Sequence, residues 1–196
     1  MRINLAASLV VSTLLVAGVA MAQGQGQGRG RGPGAPPMRL MTTAFADGSV
    51  IPDKYTSAVP NGVSPELTWT NAPMGTVTFA LLFHDPDVAL QKKLTDVTHW
   101  IAWNIPGTAT KLDEGIKEGG TLPDGMVQGK NTRGANAFMG PGAPANGPEH
   151  HYTFELFALD TKLDLGPDAS REDVMKAIDG HILGKAVYEG RFHRQQ

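Results

Sequence analysis

From Met38 onward, apolar positions recur mainly with a period of two, and the longest such runs predict β-strands. Glu66 to Thr70 (ELTWT) alternates and stops at the turn residues Asn71 to Pro73. Thr76 to Phe83 (TVTFALLF) is β-branched and aromatic with little polarity on either face, as in a central strand. Thr98 to Pro106 (THWIAWNIP) reads as another strand, its period of two placing His99, Ile101, Trp103 and Ile105 on one side and Trp100 and Ala102 on the other. In His150 to Asp160, His150, Tyr152, Phe154 and Leu156 share a face, and Gly184 to Phe192 reads as a last strand. A period of 3.6 occurs once. Ser170 as N-cap, Asp173 three residues on, apolar Val174, Met175 and Ile178, and Gly180 as stop predict a helix. The expected fold is mainly β with one or two flanking helices, and no internal repeat is visible.

The N-terminal pattern is different. Arg2 precedes an apolar run from Leu5 to about Val19 and the small residues Ala20-x-Ala22, the pattern of a secretory signal cleaved after Ala22. The run is too short for a comfortable membrane span and no second one follows, so residues 1–22 are expected to be removed and the product to be periplasmic or secreted. Residues 23–37 (QGQGQGRGRGPGAPP) have nothing to bury and read as a flexible linker, in which Arg29 and Arg31 are too few for stable membrane attachment. Residues 38–196 remain as one folded domain, of a length that supports a substantial core. Within it, Gly119 to Pro148 is a long Gly/Pro-rich stretch with no run that requires helix or strand, and such loops are commonly functional.

Charge and composition narrow the partners. The 196-residue chain carries 17 Lys+Arg against 19 Asp+Glu. Cleavage after Ala22 removes only Arg2, for a net charge of −3, which gives no electrostatic case for nucleic acid. Cysteine is absent, so disulfides and thiolate metal sites are excluded.

The candidate chemistry gathers at predicted strand ends. FHDPDV, Phe83 to Val88, closes an apolar strand with a histidine and two carboxylates, and His84, His99, His150 and His151 all lie beside strand ends. Three readings compete. Imidazoles with Asp85 and Asp87 suit zinc or iron, but the compact spacings H-x-H and H-E-x-x-H are missing. A hydrolase would need a nucleophile or an activated water, and there is no G-x-S-x-G elbow. An anion pocket would use imidazole N–H groups, a tyrosine hydroxyl and loop-backbone N–H groups, with an aspartate fixing a histidine's orientation. Plainer roles are also open: a turn for Asp85-Pro86-Asp87, a core position for His99 and for the three tryptophans, and a surface position for His151. His181 and His193 show no evident partner.

The ordered blocks SPELTW (64 to 69), HDPDV (84 to 88), THWIAWNIPG (98 to 107), LPDGMVQGKN (122 to 131) and GPGAPANGPEHHYTFELFALD (140 to 160) resemble the phosphatidylethanolamine-binding proteins, in particular their bacterial Raf kinase inhibitor-like branch. The resemblance runs from about Met38 to Arg194. It implies a large central antiparallel sheet, a smaller second sheet and a few peripheral helices. It also implies a small surface pocket for phosphate-like or carboxylate-like anions, with no cofactor. Matched to the family's motifs, Asp85 and Asp87 are the two acids of D-P-D, His99 heads the following strand, and His150 and Tyr152 form H-x-Y. Gly140, Pro141 and Pro144 belong to the pocket's loop wall.

The chain departs from the family pattern at Val88 and Ala89, where alanine and a rim proline are usual, at the GPGAP loop, and at His151, which stands where an arginine is usual. The loss of that fork-shaped cation and the added loop freedom bear on ligand selectivity. The function so implied is an exported, non-enzymatic binding protein for a phosphate, phospholipid head group or carboxylate. Inhibition of a partner protease or kinase and a metal-dependent hydrolase are the alternatives. The sequence does not set the oligomeric state.

Overall fold

A computed structural model of the chain describes Gly34 and residues 36–92 and 94–195, so the expected signal segment 1–22 and most of the 23–37 linker lie outside the described residues. The strands, in chain order, are β1 (Arg39–Met41), β2 (Ser49–Val50), β3 (Leu67–Thr70), β4 (Thr78–Asp85), β5 (Val97–Pro106), β6 (Lys111–Leu112), β7 (Val127–Gln128), β8 (His150–Leu159) and β9 (Ile182–Phe192). One α-helix, α1 (Arg171–Ile178), lies between β8 and β9. The strand order in the larger, six-stranded sheet is β2-β9-β8-β4-β5-β7, and in the smaller, three-stranded sheet β1-β3-β6. Every neighbouring pair is antiparallel except β2 and β9. No helix among the described residues is long and apolar enough to cross a membrane.

The alternating pattern determines how these layers stack. Phe79, Leu81 and Phe83 of β4 share a face of the large sheet with Phe154 and Leu156 of β8 and pack against Leu40, Leu67, Trp69 and Leu112 of the small sheet. Ala80, Leu82, Phe157 and Leu159 point the other way and cover Val174 and Ile178 of α1. β4 is thus buried on both faces, as its lack of polar positions predicts. α1 begins with a full capping box: Ser170 Oγ accepts the Asp173 N–H at 3.1 Å and the Asp173 carboxylate accepts the Ser170 N–H at 2.9 Å. Gly180, at φ 81, follows its end.

One expectation fails in an informative way. β5 does not keep a strict period of two, because its register against β4 shifts twice. Between Ala102 and Ile105 an extra residue is accommodated where Asn104 takes φ 56, a conformation asparagine tolerates, and its side chain is fixed by the Leu163 N–H (2.8 Å) and Leu163 carbonyl (2.9 Å). A second bulge lies between Thr98 and Trp100, leaving His99 without an opposite residue. Ile105 therefore packs with Trp100 and Ala102, and the His99 ring lies against Phe83 and Tyr152 rather than beside Ile101 and Trp103.

The Gly119 to Pro148 stretch is loop, as expected, apart from the two-residue β7 on the sheet edge. Three of the histidines outside the cavity described below have carboxylate partners. His84 lies 2.8 Å from Asp96, His151 3.0 Å from Asp87 and His181 2.8 Å from Asp160, the last correcting the expectation of no partner.

Candidate functional site

Antiparallel pairing places the last residue of β4 beside the first residues of β5 and β8, so Asp85, His99 and His150 meet at one end of the large sheet although they are far apart in sequence. They line a cavity of about 260 Å³ together with Tyr152, Gly140 and Pro144. The floor beside it is aromatic: Phe83 stacks on Phe154 at 3.8 Å and on Phe138 at 5.6 Å between ring centroids.

Asp85 is 3% exposed and organises the polar groups. Its Oδ1 accepts the Asp87 N–H at 3.0 Å, closing the Asp-Pro-Asp segment as an Asx turn, and its Oδ2 accepts the Nδ1–H of His150 at 2.8 Å. The His150 ring is thereby fixed with Nε2 as its other pole. The Tyr152 hydroxyl accepts the N–H groups of Gly142 (3.2 Å) and Ala143 (3.1 Å), and its own proton is turned toward the Asp85 carboxylate. Burial, reinforced by the Asp85 charge, pushes its pKa up to about 12, which keeps that proton in place.

His99 is the other fixed group. Its Nδ1–H donates to the Met139 carbonyl at 2.8 Å, and burial lowers its pKa despite that bond and the Asp85 charge. The neutral ring so held has Nε2 as an acceptor. The opening also carries Arg133, exposed, whose guanidinium makes no hydrogen bond or ion pair among the described residues.

Two of the residues expected at the pocket do not line it. Asp87 turns to the outer face of β8, where its Oδ2 accepts the His151 N–H at 2.6 Å and faces the His151 ring. Burial would raise its pKa, but the His151 bonds outweigh that and hold it below the ordinary value. Pro141 is buried behind the wall, its carbonyl accepting the Ser57 N–H (2.8 Å) and hydroxyl (2.9 Å). Gly140 must be glycine for this wall to close, because a Cβ there would stand 2.6 Å from the Thr56 carbonyl carbon. Arg133 and Thr132 also line the opening and carry no mark in the residue pattern. Thr132 ties the loop to β5 by accepting the Thr98 N–H at 2.8 Å, and neither residue lies in a periodic segment.

The family profile for phosphatidylethanolamine-binding proteins matches residues 41–193. The chain belongs to the phosphatidylethanolamine-binding protein family. A UPF0098 protein of Methanothermobacter thermautotrophicus is 43% identical over 157 residues, spanning 80% of this chain and 99% of that protein. Among solved structures, Escherichia coli YbcL, described as a member of the mammalian phosphatidylethanolamine-binding protein family, superposes with a TM-score of 0.73. It is 28% identical over 82% of this chain and 100% of its own. A family homologue from Chlamydia trachomatis gives 0.71 at 30% identity, over 81% of this chain and 99% of its own. The mainly β, two-sheet family fold expected from the motif resemblance is thus the fold of this chain.

Within that family fold, the described residues contain no group of three or more His, Asp or Glu side chains arranged to hold a metal ion. The polar set facing the cavity at the sheet end is one acceptor imidazole, one carboxylate-oriented imidazole and one arginine. Such a set suits an oxyanion that also carries a proton.

Proposed function

We propose that this is a non-enzymatic binding protein, exported after cleavage near Ala22, whose cavity holds a small anion: a phosphate monoester, which as its monoanion still carries one acidic proton, or a carboxylate. The observation that carries the proposal is the Asp85–His150–His99 arrangement, in which two imidazoles are fixed by separate acceptors and turn their remaining ring nitrogens to one cavity. Arg133 supplies charge, His150 donates to the anion's oxygens through Nε2 as an imidazolium whose Nδ1–H is held by Asp85, and His99 Nε2 accepts the monoester's proton. Asp85 is a positioning residue. It sets the orientation of the His150 ring and closes the turn, and nothing in this reading requires it to attack a substrate.

Calorimetric titration of the protein with inorganic phosphate, phosphoethanolamine and acetate tests this. Saturable binding weakened about tenfold or more in His150→Ala, a loss on the scale of one charge-assisted hydrogen bond, with His193→Ala unchanged, is the expected result. Equal affinities in the two variants would remove the assignment.

A further inference from the structure

A second cavity, of about 430 Å³, lies beside the first and shares Arg133, Met139 and Gly140 with it. The shared wall has no side chain at Gly140, which rests directly on the Thr56–Ser57 backbone. Its neutral polar groups are already engaged. Asn131 donates to the Ala137 carbonyl and accepts two N–H groups, and the Thr56 hydroxyl donates to the Asp53 carbonyl.

Three charged groups retain hydrogen-bonding capacity. Arg194 is held by its own N–H to the Ala143 carbonyl (3.0 Å) and by Nη2 to Ser57 Oγ (2.9 Å), which leaves its other N–H groups free. Arg133 and the exposed carboxylate of Glu118 make no side-chain hydrogen bond or ion pair among the described residues.

Two guanidinium forks and one carboxylate in one cavity match a carboxylate and an ammonium on one ligand. Because Arg133 lines both cavities, a phosphoryl group anchored in the smaller one leaves the rest of its molecule facing the larger one. We infer that the larger cavity is the subsite for the amino-carboxylate part of a phosphorylated amino acid of the O-phosphoserine type, its carboxylate on Arg194 and Arg133 and its ammonium on Glu118. This rests on the anion reading of the smaller cavity and adds the substrate class. The same chemistry occurs in a free phosphoamino acid and in a serine lipid head group. The acceptor His99 Nε2 favours the free monoester, since the diester has no acidic phosphoryl proton.

The test is calorimetry on the whole protein with phosphate, phosphoethanolamine, O-phospho-L-serine and glycerophosphoserine. O-phosphoserine is expected to bind about tenfold tighter than phosphoethanolamine, the worth of one charge-assisted contact at an exposed arginine already held in place by Ser57. Arg194→Met is expected to erase that preference, and Glu118→Gln to weaken all three ammonium-bearing ligands, while phosphate affinity stays unchanged in both variants. Glu118 makes no contact that folding uses, so its variant keeps the test valid if Arg194→Met disturbs the Ser57 wall. Equal binding of O-phosphoserine and phosphoethanolamine, or a preference that survives Arg194→Met in folded protein, would overturn the subsite. Failure of phosphate itself to bind would instead bring down the anion reading beneath it. Glycerophosphoserine binding as tightly as O-phosphoserine would support the subsite and make the lipid head group its source.

Discussion

Two aspartate–histidine pairs stand two residues apart on β4 and its turn and one residue apart on β8, with closely similar geometry. Asp85 meets His150 at 2.8 Å and Asp87 meets His151 at 3.0 Å, each through Oδ2 and Nδ1. They differ in burial. The side chains of the first pair are 4% and 16% exposed and those of the second 40% and 47%, because the pleat of β8 turns His150 to the cavity and His151 to solvent. The same contact therefore has two uses. Out of water, an aspartate fixes which ring nitrogen faces a ligand; in water, it mainly pins a turn to a neighbouring strand.

The contrast is sharpest in stability. Asp85→Ala leaves the His150 ring and the Asp87 N–H of the Asx turn without their acceptor and is expected to cost about 3 kcal/mol or more in chemical denaturation. The next effect is in pH. His99, whose pKa burial lowers from the ordinary 6.5, stays neutral in the folded protein while the unfolded chain takes up a proton there. The unfolded state then binds more protons, so stability falls as pH drops below 6.5 and levels off once the folded ring also protonates. Melting curves between pH 7.5 and 5 are expected to show a shallower loss in His99→Gln. The smallest effect is that of Asp87→Ala, expected to cost less than about 1 kcal/mol because its pair is solvated. If Asp85→Ala and Asp87→Ala cost the same, burial does not distinguish the pairs.

Much of this was legible in residue pattern, for reasons that also mark where legibility ended. β4 and β8 were readable because long β-branched and aromatic runs leave few alternatives, and α1 because a capping box, an apolar stripe and a stop glycine agree. The Asp-Pro-Asp turn was visible as a turn, but which aspartate serves the cavity depends on a strand 65 residues later. The His99 face was misread because the β5 bulges depend on pairing with β4, and one is stabilised by an asparagine bonded to Leu163, 59 residues away. Strands of two or three residues, such as β2, β6 and β7, are too short to show a period at all. Arg133 sits in a loop that has no period, and only the fold brings it to the cavity. The pocket as a set of residues came from the motif order of the family, not from spacing.

The most direct measurement is ¹⁵N NMR of the histidine ring nitrogens during titration with inorganic phosphate. Before phosphate is added, the proposed arrangement requires a neutral His99 ring with its proton on Nδ1. Saturable shifts at Nε2 of both His99 and His150 should then follow, with the exposed His151 unmoved. A His99 ring protonated on Nε2 in the free protein, or shifts at His151 that match those at His150, would contradict it.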